Sequence, residues 1–310
     1  MSRETVLIPS RGINLEAWVY KPETQGPHAV VVMCCGIGAV KMDGLPTFAQ
    51  AFQEAGYSAV TFDYASFGGS EGNPRNVVMV GHEYQDLQAI IHWVRQQPTF
   101  DSSRIVAWGT SFGGMHVTRL LAEDDAIAAG IAQCPCVDGL RASKMKPIIR
   151  SLQLSFWGIC DWLGSLLGRS PIYIRLASTP ESTSLALMET PDAVLGWVRL
   201  HGASSNGADG SAKNRIAARS TLTFPFHRPA LMAHKCLAPY LIVAPSYDSV
   251  APLQAAKVLA RRAPRGELRQ VPGGHFDLYL GGVGFAENLK VQLSFLSRVI
   301  PPNPVKLENA

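Results

Sequence analysis

Residues 104–114 read Arg104-Ile105-Val106-Ala107-Trp108-Gly109-Thr110-Ser111-Phe112-Gly113-Gly114. An apolar run gives way to a Gly-rich turn, and the helical pattern of residues 115–122 follows. Gly109 to Gly113 match G-x-S-x-G in the context that motif requires, with a strand before and a helix after. A chain that reverses from strand to helix in so few residues forces the central serine into a strained conformation. Side chains at the flanking positions would collide with the turn, so glycine stands there. Ser111 is left clear at the carboxyl end of a strand, with a helix N-terminus behind it to stabilise developing negative charge. An ordinary Gly-rich connection would look the same locally. A catalytic reading therefore needs a histidine, an acid and two oxyanion donors from elsewhere in the chain.

On either side the same strand–helix rhythm continues. Residues 3–9 and 14–20 alternate in part, as antiparallel edge strands do, about the turn Ser10-Arg11-Gly12. His28 to Cys35 is a continuous apolar run, the pattern of a strand buried on both faces. A helix is expected around 45–55, a strand over 57–64, a helix over 81–97 that stops before Pro98, and a strand over 126–133. The alternation resumes with a strand at 239–244, a helix near 252–262, a strand at 267–271 and a last amphipathic helix over 284–299. This order predicts an α/β fold: a mostly parallel central sheet with helices on both faces. Between 139 and 235 no buried strand is legible. Helical segments at 148–167 and 191–200 and a polar loop at 201–213 suggest an inserted helical cap. The expected organisation is a core of residues 1–138 and 236–300, a cap of 139–235 and a flexible tail of 301–310.

Composition narrows the function. Hydrophobic residues make up 47% and charged residues 17%, enough apolar surface to fill a large core and line a pocket. The net charge of +4 is spread along the chain without a basic cluster, which speaks against a nucleic-acid partner. The stretch from Leu152 to Leu167 is interrupted by Ser155, Gly158 and Asp161 and is too short for a membrane span, so it reads as a buried or pocket-lining helix. The first residues lack the apolar core of a signal peptide. The six cysteines lack zinc-site spacing and mostly sit in apolar runs. They read as buried free thiols in a reducing cytoplasm, with no metal or other cofactor expected.

The resumed sheet supplies the missing partners of Ser111. Asp248 follows the strand Leu241-Ile242-Val243-Ala244, at the strand end where α/β sites are built. His275 follows the next strand and the pair Gly273-Gly274. In a nucleophilic mechanism His275 takes the Ser111 proton and Asp248 orients the imidazole. Each has an ordinary alternative: a helix cap for Asp248, a loop contact for His275. Asp138 also follows a strand end and competes as the acid, whereas Asp277 reads as structural. His82, His92 and His116 lie in helical patterns and read as packed or surface side chains. The backbone donors for an oxyanion are expected at Phe112, next after the serine, and at Ile37, in the loop after the early buried strand.

These motifs resemble the α/β-hydrolases over nearly the whole chain, including their Ser…Asp…His order. The segments TVLIPSRGINLEAWVYKP (5–22), FDYASFGGSEG (62–72), GTSFGG (109–114), YDSVAP (247–252) and GGHFDLY (273–279) are similar to the branch near X-Pro dipeptidyl-peptidases and dienelactone hydrolases. Residues 34–64, with WGTSFGG at 108–114, resemble the fungal polyketide transferases and thiohydrolases. That likeness implies an acyl thioester substrate carried on an acyl-carrier domain of a polyketide synthase, a Ser111 acyl-enzyme, and release to water or to a hydroxyl, as a lactone where that hydroxyl is internal. Relatives usually have His-Gly where this chain has Cys35-Gly36, so any bracing by that histidine needs a substitute. Phe156, Trp157, Trp162 and Leu163 are expected to line the acyl pocket, or else to pack the cap onto the core. A general carboxylesterase or peptidase with the same triad is the alternative enzyme. A non-catalytic binding protein is the alternative of another class.

Overall fold

The computed structural model describes residues 3–201 and 214–303. The chain begins with strands β1 (Arg3–Ser10), β2 (Ile13–Tyr20) and β3 (His28–Cys34), then helix α1 (Leu45–Glu54), β4 (Ser58–Phe62) and α2 (Val80–Gln96). The elbow strand β5 (Phe100–Thr110) leads into α3 (Gly113–Glu123) and then β6 (Ala129–Gln133). An intervening segment holds α4 (Gly139–Ser143), α5 (Ile148–Leu166), β7 (Tyr173–Ala177), β8 (Ala186–Met188), α6 (Ala193–His201) and β9 (Ile216–Ala217). The core then closes with β10 (Tyr240–Pro245), α7 (Leu253–Arg262), β11 (Gly266–Val271) and α8 (Phe285–Val299).

The central sheet has eight strands in the order β1-β2-β4-β3-β5-β6-β10-β11. The β1–β2 and β2–β4 pairs are antiparallel, and the strands from β4 onward run parallel. Its helices cover both faces, so β3, β4 and β6 are buried at every position, as their unbroken apolar runs require. Strand order reverses direction between β3 and β5. Loops leaving these two neighbours part at that point and open a crevice at their carboxyl ends.

The segment between β6 and β10 differs from its sequence reading. It contains a small sheet of order β8-β7-β9, with β7 parallel to β8 and antiparallel to β9. These strands are two to five residues long, too short for a period-two pattern to stand out. The segment expected to be a helical cap is therefore not purely helical. The loop expected at 201–213 lies, from 202 onward, outside the described residues. Of the expected tail, Pro301–Asn303 are held: Arg104 donates to the Pro301 carbonyl and to Asn303, and the Asn303 amide donates to the Pro27 carbonyl. Residues 304–310 lie outside the described residues. No helix among the described residues is long and apolar enough to cross a membrane.

Candidate active site

Ser111 sits on the elbow between β5 and α3 with φ of 53°, in the left-handed region that side chains other than glycine rarely adopt. The surroundings hold it there. Its amide donates to the Gln133 carbonyl at 2.9 Å, and its carbonyl accepts from the amides of Gly114 at 3.1 Å and Cys136 at 2.9 Å. A Cβ at Gly109 would run into the Gly113 backbone, and one at Gly113 would meet the Cys34 and Cys35 carbonyls. Close backbone approach is thus what both flanking glycines serve.

The three separated residues converge. Ser111 Oγ lies 3.0 Å from His275 Nε2, and His275 Nδ1 faces both carboxylate oxygens of Asp248 at 2.9 and 3.0 Å. The serine hydroxyl donates to Nε2 while Nδ1–H donates to the carboxylate. The His275 and Asp248 side chains are each only 2% exposed. Asp248 Oδ1 also accepts from the amides of Val250 and Ala251 at 2.9 and 2.6 Å. These bonds form a turn ahead of α7 rather than a helix cap, since α7 begins at Leu253 with no side-chain cap, and they fix the carboxylate without displacing the histidine. Burial pulls the His275 imidazole pKa down, but the facing Asp248 carboxylate outweighs it and leaves the ring well above its ordinary value.

Asp138 is engaged elsewhere. It caps α4 through the Arg141 amide and takes two hydrogen bonds from Arg228, at 2.9 and 3.1 Å. Burial alone would raise its pKa, but these partners hold the carboxyl below its usual range. Asp277 accepts from the Gly274 amide and from Arg199, so it braces the turn that carries His275. His116 is buried against Glu83 at 3.1 Å, and burial lowers its pKa to about 3. His92 meets Gln96 on the exposed face of α2, and His82 is exposed.

The two expected oxyanion donors lie beside the serine. Phe112 follows it directly, and its ring stacks on Phe224 with centroids 5.4 Å apart. The Gly36–Ile37 loop abuts Ser111 so closely that a Cβ on Gly36 would meet Ser111 Cβ at 3.3 Å. Among the described residues, no backbone carbonyl takes the amide of Ile37 or Phe112. In that loop the Cys35 thiol donates to the Ala39 carbonyl at 3.2 Å and closes the loop on itself. Burial holds that thiol far above its ordinary pKa, so it stays protonated and inert. Beyond the loop, Lys41 reaches Asp63 and Glu16, each at 2.5 Å, and its amide donates to Asp63 at 2.6 Å.

Ser111 opens onto a cavity of about 180 Å³. Its walls include Ile37 and Phe112 from the core, and Met145, Ser151, Leu154, Leu187 and Met188 from the intervening segment. The expected pocket residues do not line it. Phe156, Trp157, Trp162 and Leu163 are 60%, 44%, 49% and 48% exposed. A helix offers a neighbour only one stripe, and here that stripe carries Leu154, Gly158 and Asp161. Sequence reasoning picked the largest side chains. The helix is anchored instead through its one carboxylate: Asp161 accepts from the amides of Ile172 and Arg219. Leu154 could have been found from that anchor, since it lies seven residues, two turns, before Asp161. Leu187 and Met188, on an unanticipated strand, gave no such signal. Among the described residues, no group of His, Cys, Asp or Glu could hold a metal ion.

The sheet and the serine elbow define the α/β-hydrolase class. Within that class the chain belongs to the X-Pro dipeptidyl-peptidase (S15 family), whose profile matches residues 11–277. It is 35% identical over 296 residues to the quorum-quenching protein AidA of Acinetobacter baumannii, covering 96% of this chain and 95% of that one. The Penicillium polyketide transferase grgF is 28% identical over 184 residues, 58% of this chain and 60% of the relative. The crystal structure of the alpha/beta hydrolase GrgF from Penicillium superposes with a TM-score of 0.77 at 22% identity, over 96% of this chain and 99% of that one, and shows the shared fold. The protein is an enzyme of the hydrolase or transferase type.

Proposed function

We propose that this enzyme is a serine acyl hydrolase or acyltransferase that moves an acyl chain from an ester or thioester onto Ser111 and releases it to water or a hydroxyl. The observation that carries this reading is the unbroken relay from Asp248 through His275 to Ser111 Oγ, opening onto a cavity walled largely by the intervening segment. His275 takes the hydroxyl proton as Oγ attacks the acyl carbon, and Asp248 stabilises the imidazolium that forms. The Ile37 and Phe112 amides receive the oxyanion of the tetrahedral intermediate. As that intermediate collapses, the imidazolium returns the proton to the departing thiol or alcohol. A second nucleophile, deprotonated by His275, then repeats the sequence and frees Ser111.

In its narrower form the acyl donor is a polyketide chain on the acyl-carrier domain of a synthase, with the intervening segment as a cap over the chain. The partial similarity to a polyketide transferase supports it. A second reading is favoured by the similarity to a quorum-quenching protein, which extends over 96% of this chain: a diffusible signal molecule in place of a carrier-bound chain. Purified enzyme offered acyl-carrier thioesters, acyl N-acetylcysteamine thioesters, free lactones, simple esters and X-Pro amides separates the readings. Carrier and N-acetylcysteamine thioesters should turn over fastest under the first reading, small diffusible lactones or esters under the second. Turnover confined to X-Pro amides would refute both.

A further inference from the structure

We infer that the outer face of α5 is a docking surface for an anionic lipid interface. Ile148, Leu152, Phe156, Ile159, Leu163 and Leu166 are between 48% and 75% exposed. At helical spacing they fall within an arc of about 80°, one unbroken apolar stripe along a helix roughly 28 Å long. Trp162 borders it at 49% exposure, while Trp157, at 44%, lies on the flank of the helix between the stripe and the buried side. The opposite side of the helix is buried at Leu154, Gly158 and Asp161. Soluble proteins rarely leave so long an apolar stripe open without a partner.

The charge around the stripe selects that partner. Between Gly139 and Thr179 the one acid is Asp161, and it is buried. Against it stand Arg141, Lys144, Lys146, Arg150, Arg169 and Arg175. Arg150 is paired with Glu189 and Arg141 with Asp138, while Lys146 donates to the Leu187 carbonyl. Lys144, just before the helix, and Arg169, just after it, are exposed, as is Arg175 on β7. An apolar stripe with a tryptophan at its edge and cations at both ends matches a helix lying in the plane of an anionic membrane surface. A second copy of the chain matches poorly, because stacking two such faces antiparallel or parallel brings basic ends together. Helix α5 also supplies Ser151 and Leu154 to the Ser111 cavity.

Flotation with vesicles of phosphatidylcholine alone, and of equal phosphatidylcholine and phosphatidylglycerol, tests this by binding and not by turnover. Its outcome is therefore separable from that of the acyl-enzyme reading. The expected result is binding on the order of tenfold tighter to the anionic vesicles, weakened by salt, with tryptophan emission quenched by brominated phosphatidylcholine. Leu152→Ser with Leu166→Ser should abolish binding to both vesicles while the melting temperature and turnover of a soluble ester persist. Lys144→Glu with Arg169→Glu, which leaves the apolar stripe intact, should erase the preference for anionic lipid. Failure of the wild-type protein to float with anionic vesicles would overturn the inference. So would light scattering that shows a dimer which the paired leucine substitutions convert to monomer.

Discussion

Ser111 holds a backbone conformation that costs about 1–3 kcal/mol for a residue with a side chain, and the surrounding hydrogen bonds offset it. That strain aims Oγ at His275. Replacing Ser111 with Ala should lower kcat on a chromogenic ester by about 10⁴-fold or more, measured on protein of unchanged melting temperature; a loss of a few-fold would point to another nucleophile. In the proposed mechanism His275 must be neutral to act as base, and its pKa is raised. Activity should therefore rise with pH through a value above the ordinary 6.5 of histidine. Asp248→Asn removes the charge that raises it and leaves the burial that lowers it. The acidic limb of kcat/KM against pH should then move to lower pH as kcat falls sharply. Asp138→Asn should leave that limb in place, because Asp138 serves Arg228 and the cap of α4.

At the scale of elements, the elbow rests on buried side-chain amides. Trp108 Nε1 donates to Gln292, Gln292 donates to Gln133 and Asn288, and Gln133 donates to Thr110. This network ties β5 and β6 to α8 beneath the serine. Gln292→Leu strands the Trp108 donor and should destabilise by about 1–3 kcal/mol in urea titration. Lys41→Met leaves Asp63 buried beside the loop of Ile37 without its cation, and should cost about 3–5 kcal/mol. The parallel strands and their helices were legible because burial on both faces writes unbroken apolar runs, as in His28–Cys34. The elbow was legible because Gly109 and Gly113 have no substitute at such close approach. β7, β8 and β9 were not, since strands of two to five residues are settled by tertiary pairing rather than local pattern.

For the whole molecule, the intervening segment supplies most of the wall of the Ser111 cavity. Its α6 packs on the loop of His275, with Arg199 donating to Asp277 at 2.7 Å, and Asp192 accepts from Ser249 beside Asp248. Acid, base and cavity wall are thus braced by one insertion. Its residues facing the cavity could not be read from size alone, because α5 turns its bulkiest side chains outward. Leu154→Trp should therefore shift the preferred acyl length of a p-nitrophenyl ester series towards shorter chains. Trp162→Ala should leave that preference unchanged. A reversed outcome would place the acyl chain on the outer face of α5.

The central claim is that Ser111 becomes covalently acylated with His275 as its base. Intact mass and peptide mapping after treatment with a fluorophosphonate test it most directly. The expected result is one adduct per chain, on Ser111, absent in Ser111→Ala and formed far more slowly in His275→Ala. An adduct on another residue, or equal labelling when His275 is replaced, would contradict it.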